Sequence, residues 1–172
     1  MDTRLAALAD RAEITDVVHR YARGIDRRDF DLVRRYYHPD ATDHHGGFSG
    51  TVDEYLAWVD GLTARYRSTQ HLIASVVVDL AGEVAAAESN GVAVHRSDDP
   101  APHLNLVTGF RYLDRFERRD GRWAIARRQA IGEWALPVAP DRWWPMPDDH
   151  LQSSRDDTDP LYALLGSLGA DL

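Results

Sequence analysis

Apolar residues at Ile14, Val17, Val18, Tyr21 and Ile25 recur at helical spacing, so one face of the segment from about Thr3 to Gly24 is built to meet a core. Gly24 interrupts this stripe, and the pattern predicts that the chain bends there, with Tyr21 pointing inward and Asp26 following just beyond. The stretch "DFDLVRRYYH" reads as a second helix, with Asp29 as N-cap and Asp31 set against the helix dipole in the first turn. After the polar punctuation of "HPDATDHHGGFSG", a third helix is predicted in "TVDEYLAWVDGLTARY", where Tyr55, Trp58, Val59 and Leu62 again fall on one face. From Ser68 the period changes. The runs "STQHLIASVVVDL", "EVAAAESNGVAVHR", "HLNLVTGFRYLDRFERR" and "RWAIARRQAIGEWAL" are β-branched or alternating, and the turns "AGE", "SDDPAP" and "RDG" separate them. They predict an antiparallel meander.

Helices gathered ahead of a long twisted sheet define an α+β fold, in which a bent sheet wraps partly around a helix and leaves a cavity at its open end. A main domain over residues 1–136 is expected, followed by a Pro- and Asp-rich extension over 137–172 that packs on this domain or on a neighbouring subunit. Only "DPLYALLGSL" in that extension suggests a helix. At 172 residues and 44% hydrophobic, the chain has enough material for one sizeable core, and no apolar run approaches a membrane span. A net charge of −8 argues against nucleic-acid and anionic-lipid partners. The chain has no cysteine, which excludes disulfides and thiolate chemistry, and its charged N-terminal segment is unlike a signal peptide, so a cytoplasmic location is expected. The faces carrying Val76, Val78, Leu106 and Phe110 read as an outer surface too apolar to stand alone, which predicts a homodimer or homotrimer.

Polar residues inside otherwise apolar elements are the candidates for chemistry, and each also has a plainer reading. His71 is the only titratable group in its strand until Asp79, a pattern that equally suits a satisfied core histidine. Tyr21 can be a core tyrosine, Asp26 a helix-end carboxylate paired with a nearby arginine, and His95 an edge residue in water. Arg127 and Arg128 alternate on one strand, so one of them points inward. The neighbours His44 and His45 diverge on an extended chain without a supporting ligand pattern, so no metal site is expected.

The blocks "IxDVVHRYARGIDRRDFDLVRRYYHPDATDHHGGFSG", "STQHLI", "YLDRFERRDGRWAIARR" and "SSRDDTDPLY" together resemble the SnoaL-like branch of the nuclear transport factor 2-like superfamily, over nearly the whole chain. The resemblance implies a cone of strongly bent antiparallel sheet packed against three N-terminal helices, an α+β barrel of the cystatin-like kind. Members include scytalone dehydratase, bile-acid dehydratases, hexachlorocyclohexane dehydrochlorinase, polyketide cyclases and non-catalytic binding modules. The aspartate–histidine pair of the dehydratase and dehydrochlorinase relatives matches Asp26 and His71. Tyr21 matches a pocket tyrosine of the bile-acid dehydratase type, Arg128 an arginine on the last long strand, and His95, by spacing, the second histidine of scytalone dehydratase.

In such a set neutral His71 accepts a proton from carbon while Asp26 orients its ring. Tyr21 donates a hydrogen bond to a developing enolate or departing hydroxyl, and Arg128 holds an anionic or carbonyl group, with no cofactor required. The apolar sheet with Phe48, Tyr55 and Trp58 is expected to line a pocket for a small hydrophobic, cyclic substrate. The functions this points to are a dehydratase-like lyase, an isomerase, cyclase or hydrolase using the same base, or a binding module of the oxygenase-small-subunit kind.

Overall fold

The first apolar stripe forms helix α1 (Thr3–Arg27) in the computed structural model, which describes residues 3–99 and 105–169. Gly24 does not bend the chain. The helix runs through it to Arg27, and the glycine is needed because a Cβ there would sit 2.6 Å from Val33 Cγ2 on the next helix. Arg28, at φ 56°, then turns the chain into α2 (Phe30–Arg35), whose Leu32 amide donates to the Asp29 side chain at 3.0 Å. This helix is shorter than the sequence pattern indicates, because Tyr37 and His38 already belong to a strand.

That strand is β1 (Tyr37–His45), and a turn at Gly46, φ 59°, returns it as β2 (Phe48–Thr51). The polar segment that reads as punctuation is therefore a hairpin. Its alternation is disguised because inward positions of β1 carry Ala41 and the buried Asp43 in place of large apolar groups. Thr51 ends β2 and caps α3 (Val52–Thr63) through a capping box with Glu54. Strands β3 (Ser68–Ala81), β4 (Val84–Arg96), β5 (Leu106–Arg119) and β6 (Arg122–Pro137) make the expected antiparallel meander. The expected start of β5 at His103 and Leu104 lies outside the described residues.

The six strands form one open sheet in the order β2-β1-β6-β5-β4-β3, with β1 and β6 parallel, so the sheet is mixed. The buried face of α1 packs on it, and Ile14, Val18, Tyr21 and Ile25 share one core with Tyr112, Phe116, Trp123 and Ile125. Burial of this apolar area is the main term holding helix to sheet.

A bulge in β3 between Ile73 and Ser75 overturns the expected outer surface. Beyond it the parity of the strand changes, so Val78 joins the core and Val76 packs half-buried against it, as does Phe110 on β5; Leu106, of the same parity as Phe110, is also half-buried. Apolar residues left outside on the sheet include Leu72 (51% exposed), Val77 (58%) and Leu113 (37%), with Trp134 and Leu136 exposed on β6. After β6 the chain passes through a short turn (Pro140–Arg142) to helix α4 (Pro160–Ser167), which Asp159 caps while also facing Arg27 of α1 at 3.5 Å. No helix among the described residues is long and apolar enough to cross a membrane.

Candidate functional site

Asp26 stands in the last turn of α1 and reaches onto the first residues of β3. Because β3 is an edge strand, amides on its free side have no strand partner, and that of His71 donates to Asp26 Oδ2 at 2.8 Å. Asp26 Oδ1 accepts from the Thr69 hydroxyl at 3.0 Å and is 2.7 Å from His71 Nδ1. A carboxylate only accepts, so in the neutral ring Nδ1 carries the proton and Nε2 keeps its lone pair. The side chains of His71 and Asp26 are 10% and 12% exposed, which shelters the contact from water without sealing it.

His95 lies on β4 beside this pair, its ring edge-on to His71 at 5.9 Å and 4.9 Å from Tyr66. Burial, then the neighbouring His71 and Arg155, lower its pKa to about 4 against an opposing pull from Asp26, so His95 is neutral near pH 7. Its Nδ1 is buried and has no hydrogen-bond partner among the described residues.

Arg128 points inward and Arg127 outward. The Arg128 guanidinium, however, is held by Asp114 and lies 3.9 Å from the ring centre of Tyr21 and 4.1 Å from that of Tyr112. Burial alone would lower the Arg128 pKa, but the Asp114 carboxylate and the tyrosines drive it far above its ordinary value. The Tyr21 hydroxyl bonds that of Tyr55, and burial pushes the Tyr21 pKa up to about 12, with Tyr37, Tyr55 and Tyr112 shifted in the same direction. Tyr37 donates to Asp43 at 2.7 Å. Tyr21 and Arg128 thus share one buried network, in which Arg128's charge is matched by Asp114.

Phe48, Tyr55 and Trp58 pack on one another, and His45 stacks on Tyr55 at 5.4 Å. His45 is the member of this group that reaches the wall of a cavity of about 430 Å³, where it meets Phe110, Tyr112 and Trp134. A second cleft, of about 420 Å³, runs between α1 and β3 and is lined by Asp26, His71, Arg23 and Ser153. His71 lines the cleft, and its ring meets that of Phe110, a residue of the cavity wall, at 5.8 Å. Among the described residues no three His, Cys, Asp or Glu side chains converge as a metal site.

Asp114, Asp43, Thr69 and Arg155 also belong to these networks, although none stands out in the sequence as a candidate. Asp114 shares its strand face with Tyr112 and Phe116, and Thr69 shares its face with His71, so period-2 parity carried a signal for both. Arg155 lies in an aperiodic segment, where the block "SSRDDTDPLY" marked a resemblance but gave its side chain no role.

Residues 6–129 match the SnoaL-like domain. The chain belongs to this SnoaL-like family. An uncharacterized protein of Mycobacterium tuberculosis is 28% identical over 129 residues, 72% of this chain and 86% of that one. Among solved structures, a candidate scytalone dehydratase from Novosphingobium aromaticivorans superposes with a TM-score of 0.69 at 19% identity, over 85% of this chain and 97% of the other. The hexachlorocyclohexane dehydrochlorinase LinA-type3 from Novosphingobium barchaimii reaches a TM-score of 0.74 at 18% identity, over 84% and 100%. At these identities the likeness is one of fold.

Proposed function

We propose that this SnoaL-like protein is a cofactor-independent lyase that removes water from a small hydrophobic, cyclic substrate, with His71 as general base and Asp26 as its orienting partner. The observation that carries the reading is the 2.7 Å contact from His71 Nδ1 to Asp26 Oδ1, which leaves Nε2 free to take a proton. In the reaction Nε2 accepts the proton from a carbon beside a carbonyl. The electron pair of the broken C–H bond forms the new double bond, the C–O bond breaks, and the imidazolium returns its proton to the departing oxygen as water forms. Asp26 stabilises the imidazolium in between.

The aromatic wall of Phe110, Tyr112 and Trp134 supports an apolar ring as the substrate's body. In this reading His95, neutral at working pH, is a polar contact beside the base, while Tyr21 and Arg128 fix the wall from behind. An isomerase, cyclase or hydrolase would use the same base, whereas a pure binding module would use only the wall. Exposed Leu72, Val77 and Leu113 favour self-association as a dimer or trimer, which light scattering at micromolar concentration reads directly.

The test is a screen of cyclic alcohols and β-hydroxy carbonyl compounds for loss of water without added cofactor or metal. The His71→Ala variant is expected to fold and to lose turnover. Turnover at the wild-type rate in that variant would rule out the base assignment.

A further inference from the structure

Arg155 comes from the extension beyond β6, outside the segment that matches the family, yet its guanidinium is threaded into the support of the Asp26–His71 pair. Nε donates to the main-chain oxygen of Asp26 at 3.1 Å, and Nη1 donates to the carbonyls of Thr63 at 2.8 Å and Tyr66 at 2.9 Å. Nη2 reaches the Ile25 carbonyl at 3.5 Å and the Thr69 hydroxyl oxygen at 3.3 Å. One cation therefore closes the C-terminal ends of α1 and α3, where the Ile25 and Thr63 carbonyls otherwise accept only a turn-type main-chain bond, and ties both to the first residues of β3. Burial and the nearby Arg28 and Arg27 lower its pKa to about 10, against the pull of Asp26, and it stays charged at neutral pH.

The Thr69 contact carries the consequence. A hydroxyl has one proton, and an oxygen that accepts from Arg155 must direct that proton elsewhere. The acceptor in reach is Asp26 Oδ1 at 3.0 Å, the oxygen that also accepts from His71 Nδ1. A fixed order of donation follows, from Arg155 to Thr69 to Asp26, with His71 donating to the same carboxylate from the other side.

We propose that Arg155 is a positioning residue for the candidate site: by binding Thr69 Oγ1 and the Asp26 main chain, it sets the Asp26 carboxylate rotamer and so the tautomer and tilt of the His71 ring. The extension is on this account part of the site, and Ser153, two residues earlier, lines the same cleft as His71. Its effect on turnover rests on the role proposed above for His71; its effect on ring geometry does not.

The test uses the full-length chain labelled with ¹⁵N and reads the His71 imidazole by NMR at neutral pH, in parallel with thermal melting. Wild type should give one tautomer with a hydrogen-bonded, downfield Nδ1 proton. Arg155→Gln and Thr69→Val should each lose that signal, and the double variant should lose no more than either single one, since both cut one chain of donation. A wild-type His71 spectrum in Arg155→Gln, with only the melting temperature lowered, would reduce Arg155 to a structural clamp. If Arg155→Gln does not fold, Thr69→Val decides alone, and an unchanged His71 signal there overturns the proposal. Should the spectra behave as expected while His71→Ala keeps its turnover, the positioning role stands and the base role falls.

Discussion

Arg128 and Asp114 form a two-pronged ion pair with no exposure to solvent, Nε to Oδ1 at 2.7 Å and Nη2 to Oδ2 at 2.6 Å. The geometry offsets the cost of removing both charges from water, and the Tyr21 and Tyr112 rings cover the guanidinium. Breaking the pair leaves a buried charge alone. Arg128→Met or Asp114→Leu should each cost about 3–5 kcal/mol in urea unfolding, and the double variant less than the sum. Single losses below about 1 kcal/mol would mean that water reaches the pair.

Asp26→Asn should preserve the fold, since an amide fits the same space and still has an oxygen for the His71 main-chain amide. It also presents a donor where the ring needs an acceptor, favouring the wrong tautomer. Once a substrate is in hand, turnover should fall by roughly 10⁴-fold with circular dichroism unchanged.

Tyr21→Phe is expected to act on stability more than on rate. The Tyr21 hydroxyl is bonded to Tyr55, and its removal leaves a buried hydroxyl there without that partner. A loss of about 1–3 kcal/mol is expected by denaturant unfolding, with turnover changed far less than in His71→Ala.

His95 predicts a pH dependence of stability. Its pKa near 4 in the folded protein lies below the ordinary 6.5, so the unfolded chain binds the proton first as pH falls. The stabilisation is complete above about pH 6.5 and fades toward pH 4, a change on the order of 3 kcal/mol. Urea midpoints between pH 7.5 and 4.5 should fall more steeply for wild type than for His95→Phe; parallel slopes would show that His95 is solvated.

Legibility in the sequence followed periodicity. The stripe from Ile14 to Ile25 and the alternation of β4 to β6 are repeated signals, and they gave α1 and the meander almost to their ends. The β1–β2 hairpin was hidden because Asp43, an inward position, reads as polar until its partner Tyr37 is known. Outward and inward faces of β3 were exchanged past Ala74, since a bulge depends on the pairing of two strands and neither strand encodes it alone. The Asp26–His71 contact was legible through resemblance, and the spacing of the two residues by itself does not disclose it. Alternation required one of Arg127 and Arg128 to point inward and the resemblance chose Arg128, but its occupation by Asp114 depended on the register of β5 against β6.

The parallel pairing of β1 with β6 also dictates an order of events as the chain is made. Residues 37–45 leave the ribosome early, while their partner segment, which pairs Tyr37 with Ile125 and His45 with Ala130, follows nearly ninety residues behind. Until it arrives, the hairpin has one strand face unoccupied and α1 has no complete sheet to lie on. Closing so long a loop costs entropy before any contact repays it, so the sheet is completed late and folding is slow for a chain of this length.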